Sequence, residues 1–241
     1  MSTVRSTILA RQEVAQGTLA FHLSKPAGFT FRPGQAFEIL LPTADATVGK
    51  DDRGHAFSIV SAPHEDELVF ATRMRDSVYK RALGALSPGA EVEIDGPFGS
   101  LLLHKNAARA GVLIAGGIGV TPFMSMIRHA VQQQSPQPLA LLYSNRRPED
   151  AAFLDELQAH ARALPAFSLH ATMTDMVHSA QPWSGATEMI DVAFVRRAIA
   201  SLPAPVFYVS GPPGLVQAMR QTLQQAGIDE DEVRSEEFYG Y

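Results

Sequence analysis

The stretch "AGVLIAGGIGVTPFMSMI", residues 110–127, decides how this chain is read. It is uncharged over the nominal length of a membrane span. Four glycines and a proline interrupt it, however, and polar segments flank it. The run therefore divides into a buried strand, a turn and the start of a helix. "GVLIAGG" is continuously apolar, as a strand covered on both faces must be. Thr121 is placed to cap the following helix and Pro122 suits its first position, with Phe123, Met126, Ile127 and Ala130 recurring at helical spacing. Between strand and helix, Gly117, Gly119 and Val120 lie where backbone N–H groups and a helix N-terminus favour a phosphate. A tight turn with no ligand fits the same residues.

Towards the C-terminus the alternation continues: strand "PLALLYS", helix "EDAAFLDELQAHA", strand "FSLHAT", helix "DVAFVRRAIA", strand "VFYVSG", helix "GLVQAMRQTLQQAG" closed by Gly227. Such alternation predicts an α/β domain with a parallel sheet. "SGPPGL", 210–215, opens on the same sheet edge as the first glycine loop, so Gly211 and Pro212 join the candidates for gripping one dinucleotide. The usual dinucleotide fingerprint is absent: Pro122 replaces its third glycine, and no acid between Arg128 and Glu149 can hold a ribose. "YSNRR", 143–147, instead offers Ser144, Arg146 and Arg147 to the 2′-phosphate of NADPH, or is a solvated loop. The choice between NADPH and NADH stays open.

Towards the N-terminus the rhythm is different. "TLAFHLSKP", "QAFEILLP", "AFSIV", "LVFATRM" and "AEVEIDG" are short strands rich in β-branched or aromatic residues, separated by turns such as "RPGQ" and "SPGA". This predicts an antiparallel, Greek-key-like β-barrel, with one helical insert at 77–86. The expected boundary gives a barrel over 1–104 and the α/β domain over 105–241.

A net charge of −5 gives no footprint for nucleic acid. The 241 residues hold no cysteine, which excludes disulfides and cysteine-held iron–sulfur clusters and fits a reducing, cytoplasmic setting. The histidines show no metal-ligand spacing, so no metal is expected. The first residues lack the apolar core of a signal peptide, and no membrane is implied.

Taken in order, "RPGQ", "AFSIVS", "RDSVYKRAL", "GPFG", "AGGIGVTPF", "SGPPGL" and the terminal "EEFYGY" resemble the ferredoxin–NADP reductase superfamily over nearly the whole chain. The resemblance implies a flavin-binding barrel, an NAD(P)-binding α/β domain, and hydride transfer from NADPH or NADH to FAD, with FMN as an alternative. It places His55, Ala56, Phe57 and Ser58 at the flavin motif, with Phe57 against the isoalloxazine and Ser58 near its N5. Thr72, Arg73 and Met74 run along the flavin, and Ser77 with Val78 meets its phosphate. Thr121 falls between flavin and nicotinamide, and Ser210 and Glu236 beside the nicotinamide. Tyr241 would cover the flavin face, or the aromatic tail merely fills a groove.

Two positions depart from the family pattern. His55 replaces an arginine, which weakens the case for tight FAD retention, and Ser210 replaces a cysteine, which predicts slower hydride transfer. With no cluster of its own, the protein is expected to pass electrons to a ferredoxin, a flavodoxin or an oxygenase component. Lys80, Arg81, Lys105 and Arg109 are candidates to face an acidic carrier, or are plain solvated surface. Two alternatives remain: a flavin reductase that releases free reduced flavin, and a non-catalytic binding module.

Overall fold

The computed structural model describes residues 3–42 and 53–238. By their internal contacts they form two units, Met1–Leu102 with Thr121–His129, and Leu103–Val120 with Ala130–Tyr241.

In the first unit six strands make one antiparallel sheet: β1 (Val4–Ala15), β2 (Thr18–Ser24), β3 (Ala36–Leu40), β4 (Gly54–Ser58), β5 (Glu67–Arg73) and β6 (Glu91–Phe98). Their order is β4-β3-β6-β1-β2-β5. Gly17 sits at φ +66° in the β1–β2 turn, a conformation open to glycine at little cost. The alternation of β2, β3 and β6 sends Phe21, Leu23, Phe37, Ile39, Val92 and Ile94 into one core with Phe70 of β5. Phe21 stacks on Phe70 at 5.1 Å, and Phe37 meets the same ring edge-on at 5.9 Å. Each such ring contributes roughly 1.5–3 kcal/mol by leaving water. The two edge strands curl back towards each other. Phe57 of β4 lies 4.6 Å from Phe70, and the Val60 N–H just beyond β4 donates to the Val69 carbonyl at 2.7 Å. This is the expected barrel.

Helix α1 (Val78–Ala85) begins at Ser77, whose Oγ accepts from the Lys80 N–H at 3.2 Å. It lays Tyr79 and Leu83 on the barrel core, and the Tyr79 hydroxyl donates to the Ile39 carbonyl at 2.9 Å. Residues 121–129 belong to helix α2 (Thr121–Gln132). Within this unit, the Ser125 hydroxyl donates to the Ser61 carbonyl at 2.7 Å and Arg128 pairs with Glu65 at 3.3 Å.

The second unit is a five-stranded, wholly parallel sheet: β7 (Gly111–Gly116), β8 (Leu139–Asn145), β9 (Phe167–Met173), β10 (Val206–Gly211) and β11 (Val233–Glu237), ordered β11-β10-β7-β8-β9. Every residue of β7 and β10 is buried, which is why their sequences are apolar throughout except for Ser210. Helices α4 (Val192–Ile199) and α5 (Pro213–Gln225) cover one face, packing Phe194, Val195, Val216 and Leu223 against Val112, Ile114, Phe207 and Val209. Helix α3 (Leu154–Ala163) packs beside β9. From β7 the chain winds outwards through β8 and β9, then returns to β10 on the other side. The strand order thus reverses between β7 and β10, the place where open α/β sheets bind ligands. Among the described residues no helix is long and apolar enough to cross a membrane.

Two sequence-based expectations need correction. Thr121 is the first residue of α2 rather than its cap, because the 3-10 turn Gly117–Val120 runs straight into the helix. The helix expected over "EDAAFLDELQAHA" is divided: Pro148–Asp150 form a 3-10 turn, and Phe153 at φ +61° breaks the path before α3 starts. The loop after α2 reaches the interior, where Gln137 is buried and its amide contacts His104 at 2.9 Å.

Candidate functional site

In the first unit β4 pairs only with β3, in the register Ala36↔Ser58, Phe37↔Phe57, Glu38↔Ala56 and Ile39↔His55. His55 and Ala56 are exposed, Phe57 is half-buried and Ser58 is buried. Strand alternation puts His55 and Phe57 on one face, where both meet Tyr79 of α1, at 4.1 and 6.1 Å between ring centroids. Thr72 at the end of β5 is buried, Arg73 and Met74 are half-buried, and the Met74 N–H donates to the Gly17 carbonyl at 2.8 Å. Ser77 and Val78 are exposed at the N-terminus of α1.

One side chain links these positions, and sequence reasoning had given it another role. The Lys80 ammonium donates to Thr72 Oγ1 and to the Arg73 carbonyl, and lies 5.5 Å from the centroid of the Phe57 ring. Lys80 is only 8% exposed, so it cannot face an acidic carrier. Burial first, and the Arg75 charge second, bring its pKa down to about 8. Arg81 is held by Asp76, and Arg109 by Glu232 at 2.7 Å, so neither stands as an uncommitted cation for a carrier. The signal that could have found Lys80 was its place beside Tyr79 and three residues before Leu83, on the buried face of α1.

In the second unit the two glycine-bearing loops meet backbone to backbone. A Cβ on Gly119 would collide with the Ser210 carbonyl and come within 2.7 Å of Gly211 Cα. Gly117, at φ +54°, has open space where a Cβ would be. Tyr143 of β8 steadies the loop, its hydroxyl 3.1 Å from the carbonyls of both Gly117 and Ala152. Val120, Thr121 and Pro122 are buried where the loop enters α2, and Pro122 is its second residue. After β10, Gly211 is buried and half-buried Pro212 leads into α5.

Two polar groups stand out at this edge. The Ser210 side chain is fully buried and its Oγ has no hydrogen-bond partner among the described residues. Directly across the β10–β11 ladder lies Glu236, and burial raises its carboxyl pKa. An unpaired buried hydroxyl and an acid of raised pKa beside a glycine loop form a functional-site constellation.

Ser144 is half-buried at the end of β8, level with Gly116. Arg146 and Arg147 are both engaged. Arg146 pairs with Asp175 at 2.7 Å. Arg147 grips Asp150 through Nε and Nη2, both at 2.8 Å, and lies 3.6 Å from Glu149. The Asp175 pKa is lowered by His178 and then by Arg146, while that of Glu149 is lowered by backbone N–H groups, Ser179 and Arg147. Sequence reasoning missed these carboxylates. Glu149 and Asp150 adjoin the arginines, but Asp175 arrives only through the β8–β9 pairing. Tyr241, with its expected lid role, lies outside the described residues.

The residues present fit the groups that this fold implies. Phe57 offers a half-buried aromatic surface beside a helix N-terminus and a buried ammonium, which suits an aromatic ring carrying phosphate. The loops around Gly119 leave close backbone approach at the strand-order reversal, with a spare hydroxyl on Ser210.

Comparison with known proteins agrees with this arrangement. Residues 113–221 match the family model of the oxidoreductase NAD-binding domain. The chain is 26% identical to the reductase component of propane 2-monooxygenase from Mycolicibacterium goodii, over 98% of this chain and 67% of that protein. It is 27% identical to ferredoxin–NADP reductase B of Sorangium cellulosum, over 91% of this chain and 90% of that one. Its fold is that of the crystal structure of a ferredoxin NADP+ reductase from Neisseria gonorrhoeae with bound FAD and NADP. That match has a TM-score of 0.81 at 21% identity and covers 98% of both chains. The chain spans about two thirds of the length of the oxygenase reductase components it matches. Antiparallel barrel, parallel sheet, paired glycine loops and these relatives together support placing the chain in the ferredoxin–NADP reductase superfamily, whose two-domain fold it shares.

Proposed function

We propose that the chain is a flavin-dependent NAD(P)H oxidoreductase that passes electrons from the nicotinamide coenzyme to a separate acceptor. Residues 1–104 would hold FAD and residues 105–241 the nucleotide. A bound flavin takes up hydride and releases electrons singly, chemistry that no side chain of this protein supplies. The protein's part is to bind, align and exclude water. Phe57 backs the aromatic ring, Ser58 and Thr72 offer polar atoms at its edge, and the N-terminus of α1 receives phosphate. Gly117 and Gly119 let the coenzyme phosphates approach the backbone. The Ser210 hydroxyl finds its missing partner in the nicotinamide carboxamide, and Glu236 accepts or donates a hydrogen bond there.

The observation that carries this reading is the fully buried Ser210 hydroxyl beside Gly119, without a partner among the described residues, where the strand order reverses. It makes sense if a ligand completes it. NADH is the favoured coenzyme, because Arg146 and Arg147 are already matched by Asp175, Asp150 and Glu149, which would repel a 2′-phosphate. Relatives named as reductase components of propane, glycine betaine and toluate oxygenases point to an oxygenase component as the acceptor. The lack of cysteine fits the cytoplasm.

A second reading has one observation in its favour. The exposed His55 stands where the family has arginine, so flavin could leave after reduction and the protein would act as a flavin reductase. Steady-state oxidation of NADH by FAD-loaded protein, with ferricyanide as acceptor, separates the two. The first reading expects turnover without added flavin. A rate that rises in proportion to free FAD supports the second, and no NADH or NADPH oxidation under either condition rejects both.

A further inference from the structure

Among the described residues, Lys80 is a buried cation without a counter-charge. Its ammonium has a hydroxyl, a carbonyl and an aromatic ring around it, and no carboxylate pairs with it among the described residues. The nearest acid on its helix, Asp76, is taken by Arg81. The charge that acts on Lys80 most is a like one, Arg75, in the segment between β5 and α1. β4 contributes only the Phe57 ring and β5 only neutral oxygens. Taking an ammonium out of water costs several kcal/mol unless an opposite charge accompanies it. Three neutral contacts do not supply that charge. Folded chains rarely keep such a group unpaired, and one beside a cofactor-sized site is a candidate for binding an anionic ligand.

The position narrows the choice of ligand. Lys80 is the third residue after Ser77, in the first turn of α1, so its charge adds to the N-terminal field of that helix. It contacts Phe57, Thr72 and Arg73, three of the positions expected along a flavin. The motif position that ordinarily supplies a guanidinium holds His55, an imidazole without the fixed charge and five donors of arginine.

We propose that Lys80 is a cofactor-binding residue, the cation that holds the phosphate of a phosphorylated flavin in place of the arginine this chain lacks. This rests on reading the barrel unit as the flavin site. It predicts that phosphate on the ligand, not the isoalloxazine alone, is what Lys80 recognises.

The test is a set of dissociation constants by quenching of flavin fluorescence, for riboflavin, FMN and FAD, with the wild-type protein and with Lys80→Met and Lys80→Arg. Wild type should bind FMN and FAD about tenfold or more tighter than riboflavin, as one charge-assisted phosphate contact allows. Lys80→Met should lose that advantage while its riboflavin affinity stays within about threefold of wild type. Lys80→Arg should keep most of it. Retained riboflavin binding certifies that Lys80→Met is folded. Should that variant not fold, the wild-type ratio of riboflavin to FMN affinity and the Lys80→Arg values still decide. Equal wild-type affinity for riboflavin and FMN, or a parallel loss of all three ligands in Lys80→Met, overturns the assignment. A wild-type protein that binds none of the three refutes the flavin reading itself.

Discussion

At the scale of single residues, two buried groups carry the functional argument, and each predicts a measurable trade. Ser210 keeps an unsatisfied hydroxyl in the interior. Ser210→Ala removes it at little cost in volume, so the ligand-free protein should gain about 1 kcal/mol or more in urea unfolding. The same change should raise the KM for NADH. A loss of stability instead would mean that the hydroxyl has a partner. Lys80 predicts a pH effect of definite sign. Its pKa, about 8 in the folded chain, rises to the ordinary lysine value near 10.4 on unfolding. Between those values the unfolded chain holds more protons, so the stability of ligand-free protein should climb with pH relative to Lys80→Met. Below pH 8 the difference should be flat. Thermal unfolding across pH 7–10 checks this, and a difference that is constant over the whole range would contradict it.

Coenzyme choice also belongs to single residues. Asp150→Asn removes the carboxylate that Arg147 grips with two hydrogen bonds. With that grip released, the Arg147 guanidinium should raise kcat/KM for NADPH relative to NADH by about tenfold, a gain of the size expected for one charge-assisted contact. An unchanged ratio would remove this loop from coenzyme recognition.

At the scale of elements, the sequence was legible wherever burial was strong and one-sided or complete. β7 and β10 are buried at every position; the continuous apolar run announced β7, and the apolar stretch before "SG" announced β10. Ser77 and Asp191 were readable as the starts of α1 and α4 because a cap is a local device. β1 and β11 were not foreseen. The second half of β1, "RQEVA", is exposed or half-buried throughout, so backbone pairing with β2 holds it and no alternation records it. β11, "VRSEE", has a single apolar residue and exists by its ladder to β10.

The site was legible in the same uneven way. Phe57, Thr72, Ser77, Gly119 and Ser210 fall in recognisable local motifs. The charge on Lys80 and the approach of Asp175 to Arg146 depend on contacts between elements, which no spacing encodes. The close approach of two loops gives the prediction for this scale. Gly119→Ala places a methyl against the Ser210 carbonyl and Gly211 Cα, both backbone and unable to yield. It should cost about 1–3 kcal/mol and sharply weaken NADH binding, leaving flavin affinity in place. A stability equal to wild type would show that the loops can part freely.

At the scale of the whole molecule, the proposed function assigns an aromatic, phosphate-bearing ring to one unit and a dinucleotide to the other. Neither unit alone carries electrons from coenzyme to acceptor. The account therefore stands or falls on reduction of a bound flavin by coenzyme. The direct measurement is an anaerobic titration of FAD-loaded protein with NADH, following the visible absorbance of the flavin. Bleaching complete at about one equivalent of NADH, with NADPH less effective, is the predicted result. Protein that binds FAD and NADH, yet leaves the flavin absorbance untouched with either coenzyme, would contradict it.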